Sequence, residues 1–228
     1  MPEPVLVVHH VAVVDEDILG PGRRLVIWTA GCPFRCNGCI EEPLQSIDAG
    51  TPWAVEELLD RLHPYLEALG AVTFTGGEPL LHRRALFRFL RLARTRWALD
   101  TMLYTGHATR VFREAYRAFH PLVDLCVTGP FVESRHGDHL WRGSGNQELV
   151  SPSGRYGRAQ LARWSRCPSA GLQLHFDPES CYAYGIPPPG LEDRLVAALG
   201  VQGVVAGGAG NGQAPARGRV KTVRNPVR

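Results

Sequence analysis

The feature that most constrains this chain is an alternation, between residues 24 and 128, of β-branched apolar runs with helically spaced leucines. Arg24 to Thr29 (RLVIWT), Ala71 to Thr75 (AVTFT), Leu99 to Thr105 (LDTMLYT) and Val123 to Thr128 (VDLCVT) read as strands, and so does Val5 to Val14 ahead of Gly20-Pro21-Gly22. Val55, Leu58, Leu59, Leu62, Leu66 and Leu69 recur on one helical face up to Gly70, with Thr51 as the expected cap and Pro52 at the first helical position. Further helices are expected at Leu81 to Arg96 and near Thr109 to Phe119. Strands separated by helices pair in parallel, because a parallel crossover needs a connection long enough to hold a helix. The expected fold class is α/β with a mostly parallel sheet.

With 228 residues, 44% of them hydrophobic and 21% charged, the chain suits one globular domain with a sizeable core. The formal charge of +3 misleads, because residues 215–228 hold Arg217, Arg219, Lys221, Arg224 and Arg228 and no acid. Without those five the acids outnumber the bases, so the body has no charge suited to nucleic acid, and none is expected as a partner. Lys221 is the only lysine, which leaves cationic roles in the body to arginine. Met1 to Gly20 lacks the pattern of a secretory leader and no apolar run reaches membrane-helix length, so a cytoplasmic location and no membrane are expected. Residues 203–228, rich in Gly, Ala and Arg, read as a disordered basic tail.

Functional loops in parallel sheets lie at the carboxyl ends of the strands. Four glycine-rich or polar loops fall there: GCPFRCNGC, GGEP, Thr105-Gly106-His107 and Thr128-Gly129-Pro130. The first packs Cys32, Cys36 and Cys39, three of six cysteines, into eight residues. In a reducing compartment such a cluster points to metal or redox chemistry rather than disulfides. An iron-sulfur cubane wants four thiolates, so three would leave one iron open. A zinc site with His63 or His82 as a distant ligand, or merely buried thiols, remain alternatives on spacing alone. In the second loop, Gly76 and Gly77 allow a close backbone approach and Glu78 offers a carboxylate to an ammonium; alone, it is also an ordinary strand-to-helix turn.

Together the two loops resemble those of the radical S-adenosylmethionine superfamily, whose Cys-x3-Cys-x2-Cys pattern falls on Cys32, Cys36 and Cys39 and whose glycine-glutamate loop falls on Gly76, Gly77, Glu78 and Pro79. The resemblance implies a partial (β/α) barrel, one 4Fe-4S cluster on the three cysteines, and S-adenosylmethionine chelating the open iron. It implies further that the Glu78 loop binds the methionine amino group and that Gly38 and Ile40 lie near the adenine, where glycine leaves the purine little stacking surface. VDLCVTGPFVE (123–133), LWRGSGNQEL (140–149), Gly20-Pro21-Gly22 and Tyr104-Thr105-Gly106 resemble the anaerobic ribonucleotide reductase activating enzymes over about residues 10 to 150. On that resemblance Thr105, Arg142, Ser144, Asn146 and Gln147 are candidate contacts to cofactor or partner, although WRGSGNQ by itself reads as a polar surface turn. Leu19 stands where these relatives usually have an acid or amide, GGEP where some have an aspartate, and the chain continues well past Val150. An added strand at Gly171 to Phe176 and a helix at Gly190 to Leu199 would extend the barrel, giving one radical S-adenosylmethionine domain over 1–202.

The function implied is reductive cleavage of S-adenosylmethionine to a 5′-deoxyadenosyl radical that activates a glycyl-radical enzyme, with a flavodoxin- or ferredoxin-type electron donor. The alternatives are a radical enzyme acting on a small molecule or peptide, and a non-enzymatic iron-sulfur carrier or sensor, which would need a fourth cysteine. Cys126, Cys167 and Cys181 are scattered and read as buried or incidental thiols. His175 and Asp177 share a strand face. Arg84, Arg88, Arg91 and Arg94 form a helical stripe that reads as a solvated face, or else as a dock for an acidic donor.

Overall fold

A computed structural model describes residues 3–177, 180–191 and 194. Strands β1 (Val5–Val14), β2 (Arg24–Thr29), β3 (Thr51–Ala54), β4 (Ala71–Gly76), β5 (Asp100–Thr105), β6 (Leu125–Thr128) and β7 (Glu148–Val150) form one sheet in the order β3-β1-β2-β4-β5-β6-β7. Its centre, β2-β4-β5-β6, is parallel, and β1, β3 and β7 run antiparallel to their neighbours. The expected α/β fold is present as an open sheet, with β3 and β7 as unjoined ends among the described residues, so the expected barrel is not closed there.

Helices α1 (Val55–Leu69) and α2 (Arg83–Arg96) cover one face. Leu58, Leu62 and Leu66 of α1 and Leu86, Phe89, Leu90 and Ala93 of α2 are buried with Val72 and Phe74 of β4 in one core. Phe74 and Phe89 meet edge to face with centroids 5.2 Å apart. Gly70 ends α1 in the left-handed conformation at φ 59°, returning its N–H to the Leu66 carbonyl. Thr51 does not cap this helix. Thr51–Ala54 pairs instead with Val5–Val8, and helix α1 starts at Val55 after an uncapped Ala54. Pro52 is tolerated because β3 is an edge strand, where a missing N–H breaks no ladder on the open side.

The opposite face carries two smaller cores. One joins Val14, Leu19, Val26, Trp28 and Leu44 with Tyr184; the other joins Met102, Leu125 and Val127 with Leu140, Trp141 and Leu149. Helices α3 (Thr109–Ala115) and α4 (Arg158–Trp164) complete the set, and Trp164 packs against Trp141 at 5.0 Å. Strands β8 (Leu172–Asp177) and β9 (Ser180–Gly185) form a separate antiparallel hairpin. The expected extra strand therefore does not extend the main sheet. It belongs to a hairpin whose Tyr184 stacks on His10 and meets Trp28 at a tilt with centroids 5.5 Å apart, across the face opposite α1 and α2. Most of the helix expected at 190–199, and the tail from 203 onward, lie outside the described residues, as does the Asp177 side chain; His175 is exposed in β8.

Gly20-Pro21-Gly22 has a structural reason. Arg24 is fully buried at the start of β2 and donates to Thr73 Oγ1 at 2.6 Å, the Pro21 carbonyl at 2.6 Å and Asp100 Oδ1 at 3.1 Å. A Cβ on Gly20 would come within 2.8 Å of Arg24 Nε, at a φ of 136°. The valine-aspartate pair before β6 is structural too. Buried Asp124 accepts from the Thr101 N–H at 3.0 Å, from Ser153 Oγ at 2.7 Å and from Arg94 at 2.9 Å. In the arginine stripe of α2, Arg84, Arg88 and Arg91 are exposed and Arg88 pairs with Glu56, whereas Arg94 is half-buried and pairs with buried Asp124, so Arg94 departs from the solvated face. Among the described residues no helix is long and apolar enough to cross a membrane.

Candidate active site

The cysteine loop leaves β2 and is tied down on both sides by backbone. Ala30 N–H donates to the Val7 carbonyl at 2.9 Å, Gly31 to Leu44 at 2.8 Å and Cys32 to Gln45 at 3.0 Å. Arg35 at φ 47° and Gly38 at φ 66° then curl the chain, so that Cys36 and Cys39 follow within a tight loop. Cys32, Cys36 and Cys39 are half-buried free thiols. Burial pushes the Cys32 and Cys39 thiols up, opposed by backbone N–H groups of Phe34 and Glu41 respectively. Among the described residues no three His, Cys, Asp or Glu side chains form a ready-made metal cage, so the three thiols share a loop without being preassembled. Three soft thiol donors on one accessible loop, with no disulfide among them, fit an iron-sulfur cluster, and ligation would deprotonate them.

The GGEP loop is bonded to this loop directly. Gly77 N–H donates to the Thr29 carbonyl at 2.7 Å and Glu78 N–H to the Gly31 carbonyl at 2.8 Å. A Cβ on Gly77 would sit 2.5 Å from the Gly31 oxygen, and one on Gly76, at φ 96°, 2.6 Å from the Thr29 oxygen. The two glycines thus admit the backbone of the cysteine loop itself. Pro79 opens a 3-10 turn, Pro79–His82, and suits it because the first turn needs no N–H there.

Glu78 is 2% exposed. Its Oε1 accepts from Leu80 N–H at 2.9 Å and from Thr105 Oγ1 at 3.0 Å, and its Oε2 from Gly106 N–H at 2.8 Å. Burial pushes this carboxyl up to about 7, with those three donors opposing the rise. Thr105 therefore belongs to the Glu78 site, braced in turn by the His107 N–H at 3.1 Å. Phe34 closes the gap between the cysteine loop and the β5 loop: its ring occupies the space a Cβ on Gly106 would fill and meets His107 edge to face at 5.0 Å.

Arg142, Ser144, Asn146 and Gln147 converge elsewhere, on the turn after β6. Gln147 Nε2 donates to the Gly129 carbonyl at 2.9 Å, Asn146 Nδ2 to the Pro130 carbonyl at 2.8 Å, and Ser144 Oγ accepts from Val132 N–H at 3.1 Å. Arg142 is 7% exposed and donates to the Gln147 and Ser165 carbonyls at 3.2 and 2.7 Å. These side chains bracket the 129–132 turn rather than lie as a solvated polar turn. The bracket reaches the cysteine loop through Glu133, which takes a hydrogen bond from Asn37 and fills the space beside Gly38, where a Cβ would lie 2.8 Å from its carboxyl. Ile40, next to Cys39, is 40% exposed.

Sequence reasoning missed Phe34, Glu41 and Glu133. Glu41 has its carboxyl enclosed against Trp28, and burial pushes it up to about 8. No local pattern marks these three; Phe34 is placed by Gly106 and His107, Glu41 by Trp28 and Glu133 by Asn37. Cys126 is fully buried in β6 and Cys167 Sγ lies 3.4 Å from the Arg163 carbonyl, and among the described residues neither joins the loop thiols in a metal-holding group; the Cys181 side chain is outside the description.

The family described as a 4Fe-4S single cluster domain matches residues 18–150, which span both motif loops and the bracket. The chain belongs to this 4Fe-4S family. Among curated proteins it is similar to the anaerobic ribonucleoside-triphosphate reductase-activating protein of Enterobacteria phage T4, 30% identical over 139 residues, covering 58% of this chain and 86% of that one. The protein of that name from Vibrio cholerae is 26% identical over 138 residues, 57% of this chain and 88% of that one. The pyruvate formate-lyase-activating enzyme of Clostridium pasteurianum is 37% identical over 92 residues, 37% of this chain and 39% of that one. The hairpin β8-β9 falls outside the family match.

Proposed function

We propose that this chain is a radical S-adenosylmethionine enzyme that activates a glycyl-radical enzyme, with an anaerobic ribonucleotide reductase as the leading partner and a flavodoxin- or ferredoxin-type protein as electron donor in the cytoplasm. The observation that carries the reading is the direct bonding of the cysteine loop to the glycine-glutamate loop, Glu78 N–H to the Gly31 carbonyl at 2.8 Å, which makes the two motifs one unit. When bound, the 4Fe-4S cluster and S-adenosylmethionine supply a one-electron cleavage of the carbon-sulfur bond and the radical that removes hydrogen from a glycine of the partner.

The chain's own residues bind and orient. Cys32, Cys36 and Cys39 are the cluster ligands, and Gly76, Gly77, Glu78 and Pro79 the cofactor loop, with Gly38 and Ile40 beside the third thiolate. A carboxylate has about four acceptor sites. Glu78 uses three, for Leu80 N–H, Thr105 O–H and Gly106 N–H, which leaves one for an ammonium. Phe34 packs against Gly106, whose N–H is one of those three donors.

A second reading, a radical enzyme acting on a small molecule or peptide, is favoured by one observation: β8-β9 packs on the inner face of the sheet and lies outside the family match. An electron carrier would need a fourth thiolate, and among the described residues neither Cys126 nor Cys167 joins the loop thiols in a metal-holding group. The deciding experiment reduces the anaerobically reconstituted protein with S-adenosylmethionine present, with and without a candidate reductase. Faster 5′-deoxyadenosine release and a glycine-centred radical on the reductase support activation; consumption of an added small molecule or peptide, with no protein radical, replaces it by the second reading.

A further inference from the structure

The glycine-glutamate loop covers one side of the cysteine loop, and a small apolar patch marks another. A Cβ on Gly31, directly before Cys32, would come 2.7 Å from Leu81 Cδ2 and 2.8 Å from Ile47 Cδ1, so the two side chains are neighbours over the backbone that leads into the first thiol. Yet Leu81 is 49% exposed and Ile47 44%. Scattered exposed leucines need no explanation, whereas two apolar side chains that converge from separate turns, Ile47–Ala49 and Pro79–His82, form a patch open to water. Its mounting is firm. His82 Nε2 donates to the Ala30 carbonyl at 2.8 Å, and the Gly31 and Cys32 N–H groups hold the carbonyls of Leu44 and Gln45, just ahead of Ile47, at 2.8 and 3.0 Å. A molecule seated on the patch therefore lies against the stretch that carries Cys32.

Leu81 also leads into the arginine stripe of α2, a motif to which the cofactor chemistry gives no task. Arg83, Arg84, Arg88 and Arg91 are exposed, and Arg84, Arg88 and Arg91 share a helical face. Arg88 is engaged by Glu56, but among the described residues Arg83, Arg84 and Arg91 form no ion pair. The only acid in the two turns and the first turn of α2 is Asp48, so the free charge around the apolar pair is positive. An apolar centre beside cations fits a partner whose contact face is apolar and ringed by acids. An electron needs only a close approach to the cluster loop, whereas a hydrogen atom has to be taken at the cofactor itself. A patch on the Gly31-Cys32 backbone thus suits delivery of electrons better than presentation of a glycine.

We propose that Leu81, Ile47, Arg83 and Arg84 form the docking surface for the electron donor, a small acidic one-electron carrier protein. The reduced carrier gives up one electron and the cluster gains it, with no atom transferred. The proposal rests on the reading above that the loop holds a reducible cluster, and adds to it the place where the electron enters.

The test follows 5′-deoxyadenosine release by the reconstituted full-length chain, with S-adenosylmethionine present and no reductase, under two reductants: dithionite, which needs no docking, and a reduced acidic flavodoxin or ferredoxin. Arg83→Glu combined with Arg84→Glu should lower carrier-driven release at limiting carrier by about 10-fold or more at low salt, the lower end of what charge steering supplies, and should flatten its salt dependence. Leu81→Ser should lower it by about 3- to 10-fold, the effect of leaving half a leucine's burial unmade. Dithionite-driven release should stay at the wild-type level in both. Unchanged carrier-driven release in either variant overturns the proposal, and so does a wild type that dithionite drives but no acidic carrier does. Equal loss under both reductants overturns it as well, by making the residues a support of the cluster loop. With a reductase added under dithionite, a loss of glycyl radical confined to the variants would assign the patch to that partner instead. A wild type that releases nothing even with dithionite overturns the radical reading itself, and that arm alone identifies the failure.

Discussion

Replacing Glu78 by alanine separates its two tasks, bracing the rim and holding a ligand ammonium. The side chain accepts from Leu80 N–H at 2.9 Å and Gly106 N–H at 2.8 Å, and both donors lose their partner in the variant. At about 1 to 3 kcal/mol for each buried unsatisfied group, the cluster-free protein should lose about 2 to 6 kcal/mol. Ionisation works in the opposite direction. Burial raises the carboxyl from an ordinary 4.5 to about 7, so Glu78 contributes stability that is fully present below about 4.5 and lost as pH rises through about 7. That shift corresponds to at most about 3 kcal/mol, so wild type should gain on the variant as pH falls from about 8 to about 5. The ligand reverses the dependence, since an ammonium favours the ionised carboxylate: S-adenosylmethionine affinity should rise with pH up to about 7 and then level. Loss of the charge-assisted contact in Glu78→Ala should weaken binding by roughly 10 to 150-fold. The assays are urea unfolding of the cluster-free protein across pH, and equilibrium binding to the reconstituted protein. Unchanged affinity with lowered stability would reduce Glu78 to a brace; lost affinity with an unchanged midpoint would refute the bonding to Leu80 and Gly106.

Reconstituted protein should hold about four irons per chain. Cys32→Ala, Cys36→Ala or Cys39→Ala should each abolish the visible cluster absorption while Cys126→Ala, Cys167→Ala and Cys181→Ala retain it; about eight irons per chain would contradict a single cluster. Gly77→Ala places a methyl 2.5 Å from the Gly31 oxygen, so the two loops must part. The expected cost is about 1 to 3 kcal/mol with poorer cluster incorporation, and a fully loaded, equally stable variant would refute the close approach. Asp100→Ala leaves the Arg24 guanidinium, fully buried, without its 3.1 Å carboxylate partner, and should lower unfolding free energy by about 3 kcal/mol; a change under about 1 kcal/mol would show that Thr73 and the carbonyls suffice.

The strands were legible because β-branched apolar runs and helically spaced leucines are local signals, and burial of β2, β4 and α1 follows directly from them. The motif loops were legible for a related reason: three thiols in eight residues and a paired glycine next to a glutamate are requirements on neighbouring backbone. The partners of those residues were not. Thr51–Ala54 has the form of a helix start, with a cap and a proline, and becomes a strand only because the edge of β1 offers Val5–Val8 a ladder to complete. That Gly77 allows a close backbone approach was legible, but that the Gly31 carbonyl makes that approach was not, nor that Glu133, from 95 residues further along the chain, stands beside Gly38. WRGSGNQ has the composition of a surface turn, yet its two amides and its serine hydroxyl turn inward because the 129–132 turn leaves carbonyls and an N–H that the sheet cannot satisfy, while the Arg142 guanidinium ties Gln147 to Ser165. The sequence by itself determined the central strands, the two long helices and the donors this protein carries, since those depend on propensity and residue chemistry. Tertiary structure decided which face each polar group meets, because a buried hydrogen bond is specified by two distant segments at once and neither segment records the other.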